Sequence, residues 1–152
     1  MNAEFQKLVN EVERLHGKLM AMKPVKRGAL GACKFPGVYL FTENGVHQYV
    51  GRTGRHLFKR VPEHWTVKDA PLAFRITRHA TGKVKASYKA DDDSRKKLMK
   101  LPEFAQAFTE AKSRIGKMDI RYVRVDDPTT QALLEIYTAT VLKTPFNEFH
   151  TT

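Results

Sequence analysis

Residues 37–41 (Gly-Val-Tyr-Leu-Phe) and 46–50 (Val-His-Gln-Tyr-Val) are two β-rich runs on either side of Asn44-Gly45. β-Branched and aromatic side chains suit a pleated, half-buried surface, and Asn-Gly supplies the two left-handed residues of a tight hairpin turn. The chain is therefore built around an antiparallel hairpin. A hairpin alone is barely stable in water, so it needs a third strand or a helical layer. Loop length fixes which side chains can meet. A two-residue Asn44-Gly45 loop turns Tyr39 away from Tyr49, because one residue of slip moves a side chain to the other face. A three-residue loop, Glu43-Asn44-Gly45, sets Tyr39 directly across from Tyr49. On that reading, a joint role for the tyrosines requires the three-residue register.

The partners of the hairpin are legible on both sides of it. Over residues 3–22, Phe5, Val12 and Leu19 recur every seven positions, and Leu8, Leu15 and Met22 form a second row. That spacing predicts an amphipathic helix, with Asn2 as its N-cap. Packing on the domain's own core is the favoured use of the stripe, and a homodimer seam through this N-terminal helix is the second. Pro24, Gly28 and Gly31 interrupt residues 23–35 and mark a basic linker. A basic helix is expected over about residues 55–65, while residues 73–79 read equally as strand or helix. Asp91-Asp92-Asp93-Ser94 reads as a helix start, Pro102 opens a helix through about Ile115, and residues 119–125 read as a strand. Asp127-Pro128 matches an N-cap followed by proline at the first helical position, opening a helix to about Leu142. These elements give an α/β (α+β) fold: a small mixed or antiparallel three-stranded sheet flanked by helices. Residues 1–34 form an N-terminal helix and linker, and residues 35–152 the main domain.

Charge says where a partner would sit. The 152-residue chain carries a formal net charge of +11, with net zero over residues 1–22, +12 over 23–100 and −1 over 101–152. Phosphate binding by counterion release needs such local density, so nucleic acid is the expected partner; a solvated basic face is the plainer account. The single cysteine, Cys33, excludes an intramolecular disulfide and a cysteine zinc cluster. No apolar run approaches the roughly 20 residues of a membrane span, and the N-terminus lacks a signal-peptide core. A reduced, cytoplasmic protein is expected, associated with the nucleoid in a bacterial cell.

Three groups of residues could carry chemistry. In the segment 131–142 (QALLEIYTATVL), Glu135 is the only charged residue. It lies two turns past the N-cap, too deep for the helix dipole to explain, so it needs a cation, a hydrogen-bond network or a raised pKa. It reads as a metal ligand, as a member of a narrow exposed stripe, or as the partner of a neighbouring arginine. Tyr39 and Tyr49 form the second group, and strand packing is their ordinary use. The third comprises Arg52, Arg55, Arg60 and His64 beside Gly51 and Gly54. Guanidinium groups offer paired donors to a phosphodiester, and Arg60 and His64 are four apart on one prospective helix face. Pro62 between them would kink or end that helix.

In order, these residues resemble the GIY-YIG nuclease superfamily. Gly37-Val38-Tyr39 stands for the first triplet and Tyr49-Val50-Gly51 for the second, with valines in place of both isoleucines. Arg60 corresponds to the family's catalytic arginine, His64 to a frequent histidine, Glu135 to the metal-binding glutamate and Asn147 to the following asparagine. The resemblance implies a DNA endonuclease that hydrolyses phosphodiester bonds by in-line attack of water. One Mg²⁺ (or Mn²⁺) per site would bind Glu135, waters and phosphate. Tyr39 would act as general base, which requires nearby positive charge because a free tyrosine titrates near pH 10. Tyr49 would orient water or phosphate, Arg60 would neutralise developing charge, and His64 would support the base or the leaving group. Gly51, Arg52, Arg55 and Asn147 would complete the substrate contacts, with Asn147 also bracing the site. The segment of about 68–117 exceeds the compact family core and is expected to hold an insertion. DNA is the implied substrate, RNA stays open, and no membrane role is expected. A non-catalytic nucleic-acid-binding module that keeps the fold is the alternative; Glu135 distinguishes the two, since binding alone gives no reason for a carboxylate there.

Overall fold

The computed structural model describes residues 1–82 and 94–149. It divides into two compact units: one formed by Met1–Val61 with Met118–Thr152, the other by Pro62–Lys117.

The first unit is a mixed α/β layer structure. Strands β1 (Gly37–Glu43), β2 (Val46–Thr53) and β3 (Asp119–Arg124) form an antiparallel sheet in the order β2-β1-β3. The N-terminal helix α1 (Ala3–Ala21) is capped by Asn2, whose side-chain oxygen accepts from the N–H groups of Glu4 and Phe5. The late helix α7 (Pro128–Leu142) starts at Asp127, whose carboxylate accepts from the N–H and hydroxyl of Thr130. Both caps satisfy donors that a helix end leaves orphaned. Val12, Leu15 and Leu19 of α1 and Leu134 and Ala139 of α7 bury against Val38, Leu40, Val50 and Val123 on one sheet face. The amphipathic stripe of α1 thus serves the unit's own core. The linker is partly ordered by the sheet: Val25 exchanges both backbone hydrogen bonds with Ile120 and covers the outer edge of β3. A single 3-10 turn, Arg27–Ala29, follows.

The hairpin departs from both registers considered above. Asn44 and Gly45 have φ of 52° and 78°, the two left-handed residues of a type I′ turn, so the loop has two residues. Glu43 pairs with Val46 and Thr42 with His47, but Phe41 pairs with Tyr49. Gln48 is skipped. It is the extra residue of a β-bulge, and the bulge moves Tyr49 back to the face a simple two-residue hairpin would deny it.

The expected helix over 55–65 is instead two single turns, α2 (Leu57–Arg60) and α3 (Glu63–Thr66). Pro62 has no N–H to continue the hydrogen-bond ladder, although Val61 and Pro62 keep right-handed helical dihedrals. α2 is tied to the segment before β1 by hydrogen bonds from Leu57 N–H to the Phe35 carbonyl and from Phe58 N–H to the Cys33 carbonyl.

The second unit is helical and contains α3, α4 (Pro71–Thr81), α5 (Arg95–Leu98) and α6 (Pro102–Gly116). Residues 73–79 are helical, with Pro71 opening α4 and Gly82 closing it at a φ of 77°. Phe74 packs against Phe104 and Phe108, with ring centroids 5.3 and 6.2 Å away. The Arg95 guanidinium lies 4.3 Å from the Phe74 ring centroid, a cation–π contact. Ser94 caps α5 through its hydroxyl, which accepts from Lys97 N–H; Asp91, Asp92 and Asp93 of the expected helix start lie outside the described residues. The segment expected to hold an insertion, about 68–117, falls within this unit.

Candidate active site

Strand alternation and the bulge together decide the tyrosine geometry. Tyr39 and Phe41 share one face of β1, and Phe41 is the partner of Tyr49, so the two tyrosines are diagonal neighbours on the same face. Their ring centroids are 6.5 Å apart, and Phe41 lies 5.5 Å from Tyr39 and 6.4 Å from Tyr49. The requirement for a three-residue loop is therefore overturned, while the convergence it was meant to secure is present. Tyr39 is fully buried; Tyr49 is half-buried.

The two triplet glycines have different physical reasons. A Cβ on Gly51 would run into Cζ and the hydroxyl oxygen of Tyr39, whose phenol end lies across the Gly51 backbone. A Cβ on Gly37 would strike the Val123 carbonyl oxygen of β3. Gly51 admits a ring, Gly37 a neighbouring strand.

Arg52 follows Gly51 and pairs across the sheet with Val38, so it belongs to the face that α7 covers. From α7, Glu135 brings Oε1 to 3.5 Å from Arg52 Nε. Glu135 is 18% exposed and Arg52 45% exposed at the side chain. Burial pushes the Glu135 carboxyl above the ordinary carboxylate range, and the charge and hydrogen bond of Arg52 pull it partly back. Of the three readings of Glu135, the contact shows the third: it is a partly buried carboxylate whose cation here is a neighbouring arginine. The tyrosine pair and the Arg52–Glu135 pair lie on opposite faces of the sheet, Tyr39 lying against Gly51 and Glu135 meeting the next residue, Arg52, so the fold does not gather Tyr39, Tyr49 and Glu135 on one face.

Asn147 braces that edge. Its side-chain oxygen accepts from Val50 N–H at 2.9 Å and its amide donates to the Val50 carbonyl at 2.8 Å. The Thr144 hydroxyl also donates to the Asn147 oxygen, and Phe146 N–H donates to the Gln48 carbonyl at the bulge. Phe146 and Gln48 were invisible as site residues in the sequence, because they pair backbone to backbone; Thr144 acts through a hydroxyl that no spacing in the sequence singles out.

The remaining basic residues divide between the units. Arg55 is exposed just past β2, where its N–H donates to the Thr53 hydroxyl, and Arg60 is half-buried at the end of α2. His64 belongs to α3 in the second unit and is buried there.

Among the described residues, no three or more His, Cys, Asp or Glu side chains gather into a metal cage. Mg²⁺ rarely uses one: it keeps waters and binds through one or two carboxylates plus substrate phosphate. Glu135, a lone partly buried carboxylate with Arg52 beside it, supplies one such carboxylate. The groove of about 350 Å³ between α1 and α7, lined by Val9, Val12, Leu133, Ile136 and Val141, offers no charged group to a phosphate. Among the described residues, no helix is long and apolar enough to cross a membrane. No family model, curated protein or solved structure matches the chain.

Proposed function

We propose that the protein is a divalent-metal-dependent endonuclease of the GIY-YIG type, acting on DNA at the free edge of β2. The observation that carries this reading is the tyrosine pair, ring centroids 6.5 Å apart with the Tyr39 phenol over Gly51, on a strand whose next residue, Arg52, meets Glu135 from the other face. Ordinary strand packing asks for neither a glycine beneath a buried phenol nor a carboxylate on a fifteen-residue helix otherwise free of charge.

In this mechanism the scissile phosphodiester lies along the β2 edge. Arg52, Arg55 and Arg60 hold its oxygens and stabilise the charge that develops as water attacks phosphorus. Tyr49, the more exposed of the two tyrosines, takes the base role expected for Tyr39. Its phenolate oxygen removes the proton from the attacking water while a phosphorus–oxygen ester bond breaks, and the leaving oxygen is protonated from solvent. Surrounding cations are needed to make phenolate available near neutral pH. Tyr39 packs beneath as the platform that fixes the Tyr49 ring. Glu135 is the residue that would hold Mg²⁺ or Mn²⁺, which when bound supplies Lewis-acid stabilisation of the phosphate oxygens.

The test is nicking of supercoiled plasmid, with branched and single-stranded DNA in parallel, in Mg²⁺ or Mn²⁺. Tyr49→Phe should slow cleavage by about 10²–10⁴-fold, the usual range for losing a general base. Glu135→Ala should abolish metal-dependent nicking. Nicking that survives in Glu135→Ala removes the metal assignment. Absence of cleavage on every substrate, with DNA still bound, would favour the non-catalytic binding module.

A further inference from the structure

The contact between Arg52 and Glu135 is a poor ion pair by the standards of a structural one. It is a single Nε–Oε1 approach at 3.5 Å, whereas charge-assisted N–H···O bonds sit near 2.7–2.9 Å and arginine usually grips a carboxylate with two donors. The partners are unequally fixed. Glu135 is carried on α7 beside the buried Leu134, while Arg52 stands on the sheet's edge strand with 45% of its side chain in solvent. The guanidinium has more open solvent around it than the carboxylate has. Arginine also cannot discharge by losing its proton, so a guanidinium that leaves Glu135 seeks another anion.

We propose that Arg52 is an exchangeable counter-ion: it holds the cation seat at Glu135 until a divalent ion takes it, and the freed guanidinium then moves onto the phosphodiester. This rests on the nuclease reading above and adds a coupling to it. Metal and nucleic acid bind with positive cooperativity, because the metal releases the residue that grips phosphate, and linkage makes the effect reciprocal. The same exchange keeps the isolated protein from carrying a bare half-buried carboxylate.

The test reads binding of Mn²⁺ alone to the full chain, by calorimetry or by the loss of free-ion paramagnetic resonance, at pH 8 and low salt. Wild type, Arg52→Gln, Arg52→Lys and Glu135→Gln are compared, each checked by circular dichroism. Arg52→Gln should bind Mn²⁺ about three- to tenfold more tightly, since the competing charge is gone. Arg52→Lys keeps the charge and should stay within about twofold of wild type. A second measurement reads affinity for a short duplex with and without Ca²⁺: wild type should tighten on adding the ion, and Arg52→Gln should lose that increment. Unchanged or weaker Mn²⁺ binding by Arg52→Gln overturns the exchange while leaving Glu135 as the metal ligand. Mn²⁺ binding that Glu135→Gln leaves intact overturns the nuclease reading's metal site as well.

Discussion

At the scale of single residues, Gly51 shows how little a motif letter says about its cause. In the sequence it is one of nine glycines, indistinguishable from those in loops. In the fold its missing Cβ is the space into which the Tyr39 phenol extends, so Gly51→Ala forces a fully buried ring to move. Such overpacking costs about 1–3 kcal/mol. Urea unfolding should show that loss for Gly51→Ala and a change within about 0.5 kcal/mol for Gly54→Ala, whose added methyl meets nothing within 4 Å. Asn147 makes the complementary point. Its amide stands in for a missing strand, satisfying both backbone groups of Val50 on the sheet's open edge. Asn147→Ala leaves them without that partner and should lower unfolding free energy by about 1–3 kcal/mol in the same assay.

At the scale of elements, what was legible was local. Asn2 and Asp127-Pro128 announce their helices because a cap acts within four residues, and the three strands announce themselves by composition. The bulge was not legible. Gln48 reads like any strand residue, and its displacement is held by Phe146 and Asn147, the latter pairing with a residue 97 positions earlier. A tyrosine spacing of ten therefore gave the right neighbours by the wrong register. The broken helix at Pro62 was half legible, since the missing N–H was foreseen but not that both turns would survive on either side. The α1–α7 seam carries a pH dependence of its own. His16 Nδ1 lies 3.0 Å from the Thr138 hydroxyl with its ring edge-on to Tyr137, and burial lowers its pKa. His47, 2.8 Å from the Thr42 hydroxyl, is lowered first by burial and then by the charge of Arg121. For a base held down in the fold, stability is full above the ordinary histidine range and is lost as pH falls through the lowered folded value. The melting temperature should therefore drop between pH 7.5 and 5, and His16→Gln with His47→Gln should flatten that slope.

At the scale of the whole molecule, the proposed function and the +11 charge together predict an affinity for nucleic acid that falls with salt. Each phosphate contact contributes about −0.9 to the slope of log affinity against log salt on duplex DNA. Arg55→Gln, which removes an exposed cation just past β2, should reduce the magnitude of that slope by about one unit, measured by fluorescence anisotropy without divalent metal. The way the chain is threaded bears on when any such activity can begin. β1 is the central strand, yet one of its neighbours, β3, comes after the whole Pro62–Lys117 unit, and α7 and Asn147 come later still. During synthesis the helical unit can be complete while the sheet is still a hairpin with only α1 to cover Val38, Leu40 and Val50, and with neither β3 nor the Leu134 and Ala139 of α7 in place. The tyrosines, Gly51 and Arg52 leave the ribosome more than eighty residues before Glu135. A nascent chain thus carries the cationic part of the proposed site well before its carboxylate.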